Sequence, residues 1–166
     1  MCPDATRPAT TVKGARGTLL LLLLLAGAAG CRTPVSLPPV NLKEAGWTVR
    51  SGQAVWRRER GGEGLAGEFL AATQPAGRSF VQFSKGAFPL AVAQSAPQAW
   101  TVAFPLWNEH YSGRGRPPAR IIFLQLPGVL AGHPAPRGFS WEPLEGGGWR
   151  LGNQSSGEAL DVYSDP

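Results

Sequence analysis

Glycine and proline interrupt this chain so often that no long regular element fits between them. The 22 glycines and 16 prolines leave only short runs from Gly46 to Gly157, and short runs bounded by turn residues read as strands. The runs are GQAVWR (52–57), LAGEFLAAT (65–73), RSFVQFSK (78–85), PLAVAQ (89–94) and AWTVAF (99–104). The second and third form a hairpin across the turn Gln74-Pro75-Ala76-Gly77. In the fifth, Trp100, Val102 and Phe104 share one face by the two-residue period of a strand. Three further runs, FSWEPL (139–144), GWRLGN (148–153) and EALDVY (158–163), close the chain.

Between these groups lies GRGRPPARIIFLQLPGVLAGHPAP (113–136). Pro117 and Pro118 suit a helix start, where a missing N–H costs nothing. Residues 119–126 carry Ile121, Ile122, Leu124 and Leu126, too apolar for a surface helix, and Pro127-Gly128 predicts a break or kink before Val129. The order is therefore about five strands, a short broken apolar helix and about three strands. A twisted antiparallel sheet of this kind curls toward an incomplete, open β-barrel. The helix then serves as lid or plug, and such barrels commonly hold a hydrophobic ligand. The fold class expected is mainly β.

Ahead of this domain, Lys13 and Arg16 precede seven leucines (19–25), and the small residues Ala28-Ala29-Gly30 follow. The uncharged run 19–30 reaches about 18 Å as a helix, short of the roughly 30 Å hydrocarbon core. Positive flank, short apolar core and small-residue exit mark a secretory signal peptide. An ordinary signal cut near Ala29 would leave Cys31 incidental. Against that, Cys2 leaves with the signal, so Cys31 has no disulfide partner in an oxidising compartment. The segment 25–31, LAGAAGC, resembles a bacterial lipobox, with Ala28 where that family prefers leucine. The resemblance implies a diacylglyceryl and acyl lipid on Cys31, a proline-rich tether in TPVSLPP (33–39), and several chains at about 0.8 kcal/mol per buried methylene. Arg32, where an Asp would favour inner-membrane retention, points to the outer membrane, facing the periplasm. The expected organisation is a signal peptide (1–30), a lipidated tether (31–40) and a single domain (41–166).

The chain carries a net charge of +5, and removing Arg7, Lys13, Arg16 and Asp4 leaves 13 basic and 10 acidic residues. Arg57-Arg58-Glu59-Arg60 and Arg114-Gly-Arg116 are the basic clusters, without interleaved aromatics, and read as solvated loop charges, with contacts to anionic lipid headgroups as the alternative. Nucleic-acid binding wants a denser basic face and is not expected. His110 and His133 lack metal-ligand spacing, and no cysteine cluster exists, so no metal or other cofactor is expected. No Gly-x-Ser-x-Gly elbow is present, Gly113-x-Gly115 reads as a flexible loop, and nothing brings Glu68 to Glu142 as a catalytic pair. An enzyme is not expected.

The hairpin with its following FPLAVA, the segment IIFLQLPGVLAGHPAP, and GWRLGN resemble the LolA/LolB lipoprotein-localisation factors over most of residues 49–163. LolB, itself a lipoprotein, is the nearer. Leu130, Gly132, Pro134, Ala135 and Pro136, followed by a Gly-Trp, are the most specific part. The resemblance implies an open barrel with a helical lid over a cavity for lipoprotein acyl chains, a soluble LolA-like carrier as partner, and delivery to the outer membrane. By strand alternation Phe69, Trp100, Val102 and Phe104 are the candidate cavity residues, with Ile121, Ile122 and Leu124 from the lid. The family's exposed membrane-contact leucine has its nearest counterpart in KGAFPLAV (85–92), at Phe88 or Leu90. The chain is shorter than typical members, which leaves delivery and simple binding of apolar envelope molecules both open. A rival expectation is a structural or interaction lipoprotein whose sheet closes on its own side chains. Replacing Cys31 with Ser is expected to abolish acyl labelling and release the protein from membranes; retention of label on the variant would refute lipidation at Cys31.

Overall fold

A computed structural model of the chain describes residues 35–164; the leucine run, Cys31 and the first residues of the expected tether, to residue 34, lie outside them. The strands are β1 (Thr48–Arg57), β2 (Leu65–Gln74), β3 (Arg78–Lys85), β4 (Phe88–Ala96), β5 (Ala99–Phe104) and β6 (Glu109–Arg114). Helix α1 (Ile122–Leu130) follows, then β7 (Phe139–Pro143), β8 (Trp149–Asn153) and β9 (Ala159–Ser164). All pair antiparallel in one nine-stranded sheet of order β6-β5-β4-β3-β2-β1-β9-β8-β7. The sheet is not closed, with β6 and β7 as its edges, and the fold is mainly β as expected. No helix among the described residues is long and apolar enough to cross a membrane.

The curl of the sheet follows from two rings. Trp56 on β1 and Phe104 on β5 stack with centroids 5.7 Å apart. Four strand steps separate β1 from β5, about 19 Å in a flat sheet. Only a strongly wound sheet brings such side chains together. The inner face is set by register: Ala71, Val81, Ala93 and Val102 form one cross-strand row, and Phe69, Phe83 and Ala91 the next. These residues are buried, as are Leu151, Leu160 and Val162 on the other arm. Small residues alternate with large ones along the rows, leaving a trough for α1.

Helix α1 fills that trough. Its residues Ile122, Phe123, Leu124, Leu126, Pro127, Val129 and Leu130 are buried. No side chain caps its N-terminus, and neither an acidic first turn nor a basic last turn complements the dipole. Local chemistry therefore contributes little, and burial holds the helix. Its bounds correct the sequence expectation at both ends. It begins at Ile122 rather than beside Pro117-Pro118, and it runs through Pro127 instead of breaking there. The missing Pro127 N–H removes the bond to the Phe123 carbonyl, a cost of about 3 kcal/mol. Burying Val129 and Leu130 beyond it returns about 1.5–3 kcal/mol each. The packing term wins.

The strand at β6 is a second correction, since Gly113 lies within it and not in a loop. A Cβ on Gly113 would meet the Trp100 indole at 2.6–2.8 Å. Glycine lets Trp100 lie flat across the edge strand. Replacing Phe123 with Ala is expected to cost about 3–5 kcal/mol, measured by denaturant unfolding; a loss below about 1 kcal/mol would show that the trough does not depend on this ring.

Candidate functional site

Four of the seven cavity candidates, Phe69, Trp100, Val102 and Phe104, lie on the inner face as alternation expects, and Ile121, Ile122 and Leu124 lie at the N-cap and in the first turn of α1. Phe69, Val102, Ile122 and Leu124 are buried, while Trp100, Phe104 and Ile121 are half-buried against the same core. The space they surround is filled from within. Phe123 packs edge-on to Trp56 at 5.0 Å and contacts Phe83 at 6.0 Å and Phe104 at 6.1 Å, centroid to centroid. Sequence reasoning named the neighbours of Phe123 but not Phe123 itself. The signal was the helical spacing of Phe123 with Leu126 and Leu130, obscured by an expected break at Pro127.

Open space lies instead beside the C-terminal half of α1. Two adjoining lobes, of about 470 Å³ and 230 Å³, share Thr48, Thr73 and Ala131 in their walls. The larger runs between Leu124, Gly128 and His133 on the helix side and Ser79, Ser95 and Arg78 on the sheet side. The smaller is lined by Arg50, Ala71 and Pro127. Of the sequence candidates only Leu124 lines this cleft. The register explains its sheet wall: Thr48 pairs with Thr73, Thr73 with Ser79, and Ser79 with Ser95. Four hydroxyl residues therefore form one row across β1 to β4, immediately beyond the apolar row of Ala71, Val81, Ala93 and Val102. The Ser79 and Ser95 hydroxyls are 2.7 Å apart and bonded to each other.

The residues preceding β1 border the same cleft. The Arg78 guanidinium lies 5.3 Å over the Trp47 ring and 3.7 Å from the Glu44 carboxylate. Gln74 donates to the Ala45 carbonyl, and Gln94 donates to the Pro38 carbonyl earlier in the chain. The tether thus enters the domain along β4 and the β2–β3 turn.

The two membrane-contact candidates part company. Phe88, in the β3–β4 turn region, is 75% exposed, whereas Leu90 is 5% exposed and belongs to the core. Leu106, in the 3-10 turn Pro105–Trp107, is also exposed, and that turn contacts β4. Nearby, Arg58 stacks over Trp107 at 4.8 Å and Trp56 at 5.8 Å. Neither Arg57 nor Arg58 is a free loop charge, which corrects the reading of that cluster. Glu68 on β2 and Glu142 on β7 are separated by β1, β9 and β8 and do not meet. His110 is exposed on the edge strand β6 and His133 is exposed at the cleft. Among the described residues, no three His, Cys, Asp or Glu side chains come together as a metal site.

Among the described residues the outer face carries one buried charge. Asp161 on β9 accepts from Arg150 at 2.6 and 2.8 Å and from Arg57 at 2.5 Å, with its side chain 4% exposed. Burial pushes its carboxyl up, but the two arginine hydrogen bonds and charges outweigh this and hold it below the usual aspartate value. Glu158 shows the opposite balance. Burial raises its pKa even though Trp56 Nε1 donates to it at 2.8 Å and Arg58 lies near. Fold and site together define an open antiparallel barrel with an inner apolar helix and a cleft at one end. No protein-family model matches the chain, and no curated protein matches it.

Because the folded-state pKa of Asp161 is depressed, its contribution to stability is complete above the ordinary aspartate range and is lost as pH falls through the lower folded value. Asp161→Asn is expected to destabilise the protein by about 2–4 kcal/mol, discounted from the fully buried case because both arginines are partly exposed. The variant should also lose stability less steeply on acidification, read from urea midpoints between neutral pH and the acid limb. An unchanged acid slope would contradict the assignment.

Proposed function

We propose that the protein is a lipid-anchored binding protein of the bacterial envelope. In this reading it accommodates an acyl chain of a lipoprotein between α1 and the inner face of the sheet. It then helps pass that cargo to the outer membrane, with a soluble LolA-like carrier as donor. The observation that carries the reading is the state of α1, an uncapped, proline-interrupted helix held by apolar contact in an unclosed sheet. An acyl chain offers the trough the same kind of contact, at about 0.8 kcal/mol per buried methylene. Little local helix stability opposes the exchange. A lipobox-like start would keep the trough within a tether's length of the membrane.

The filled interior favours a second reading. Phe83, Val102 and Leu126 are each 0% exposed, as in a structural module whose core needs no guest. Hydrogen exchange separates the two. A displaceable helix should exchange its amides well ahead of β2 and β3 by local opening, and native mass spectrometry of protein drawn from membranes should show bound acyl species. Exchange of α1 only with global unfolding, together with the absence of bound lipid, would establish the structural module instead.

A further inference from the structure

The cleft at the C-terminal end of α1 is layered in its chemistry. Nearest the core are Leu124, Pro127, Ala71 and Gly128, the apolar end of the trough. The next layer is the hydroxyl row Thr48, Thr73, Ser79 and Ser95. The Ser79–Ser95 pair uses one of its two protons internally, so the other hydroxyl proton can be donated elsewhere. Among the described residues the Thr48 and Thr73 side chains make no hydrogen bond. At the mouth stand Arg50, Arg78 and His133. Arg78 is partly offset by Glu44 at 3.7 Å; Arg50 has no ion pair among the described residues.

We propose that this cleft is a headgroup site for an anionic glycerophospholipid. The assignment rests on the acyl-chain reading of the trough and adds a second class of amphiphile to it, since the diacylglyceryl cysteine of a lipoprotein carries no phosphate. The chain lies along the apolar end, the glycerol and ester oxygens meet the hydroxyl row, and the phosphate meets the arginines. A fatty-acid carboxylate satisfies the mouth but leaves the hydroxyl row unused. A zwitterionic head brings its own cation against Arg50. Taken together, lobes of about 470 and 230 Å³ fall within the usual range of small-molecule sites.

The test uses the full mature lipoprotein in neutral-detergent micelles, incubated with an equimolar mixture of three probes and read by native mass spectrometry. The probes are lysophosphatidylglycerol, lysophosphatidylcholine and palmitate, all with the same acyl chain. The wild type is expected to favour lysophosphatidylglycerol over lysophosphatidylcholine by about fivefold, the scale of one or two partly exposed ion pairs. Arg50→Glu with Arg78→Glu should bring the two to parity or reverse them while total chain occupancy persists. Thermal unfolding of the variant, within a few degrees of wild type, confirms that the fold is kept. Preferred binding of palmitate would overturn the glycerolipid assignment. Binding without headgroup preference would overturn the headgroup site and leave the trough reading standing; no bound chain of any kind would overturn both.

Discussion

The ring of Phe123 meets Trp56, Phe83 and Phe104, side chains supplied by β1, β3 and β5. No pair of these strands is adjacent in the sheet, so backbone hydrogen bonds alone do not fix the angle between them. The aromatic contact does. Each ring is a large apolar surface, and edge-on or offset geometry adds about 0.5–1.5 kcal/mol beyond area burial. The rest of the architecture is arranged around that contact. Small residues at Ala54, Ala71 and Ala93 leave depth for the helix, and Trp107 closes the end of the cluster against Trp56 at 5.9 Å.

The strands were largely legible because turn chemistry brackets them. β3 and β5 have the bounds read from sequence, each flanked by proline- or glycine-bearing turns. β6 was not legible, since EHYSGR has no apolar alternation and its extended form is imposed by pairing with β5. The helix end was misread because a local rule about proline competes with burial that only the folded sheet reveals. The hydroxyl row was beyond reach for a different reason. Thr73 and Ser79 meet across a recognisable turn, but Ser79 meets Ser95 through a register shift at Phe83/Ser84. A one-residue slip there would present Gln94 instead and reverse the facing of β4. No composition or period announces such a bulge.

The two faces of the sheet use opposite devices. Inside, apolar contact does most of the work, with the Trp56–Glu158 and Ser79–Ser95 hydrogen bonds at its margins. Outside, Asp161 binds Arg57 and Arg150 across three neighbouring strands. These are short and charge-assisted, and they hold β1, β9 and β8 in register. One arm of the barrel is thereby locked while the trough is left to packing. Arg57, which the sequence assigned to a solvated loop cluster, is part of that lock.

The β1–β9 pairing also governs how the chain reaches this state. Strands β1 to β6 form a meander of nearest neighbours, quick to assemble from local contacts. The bonds from Trp56 to Glu158 and from Arg57 to Asp161 span 102 and 104 residues. Closing so large a loop slows folding and delays the reward for doing so. Until β9 arrives, β1 is a bare strand edge next to an apolar surface, able to template pairing with another chain. A chain synthesised N-terminus first holds that edge open until residues 159–164 emerge. The capping of that edge therefore waits on the last strand in the chain order of the sheet.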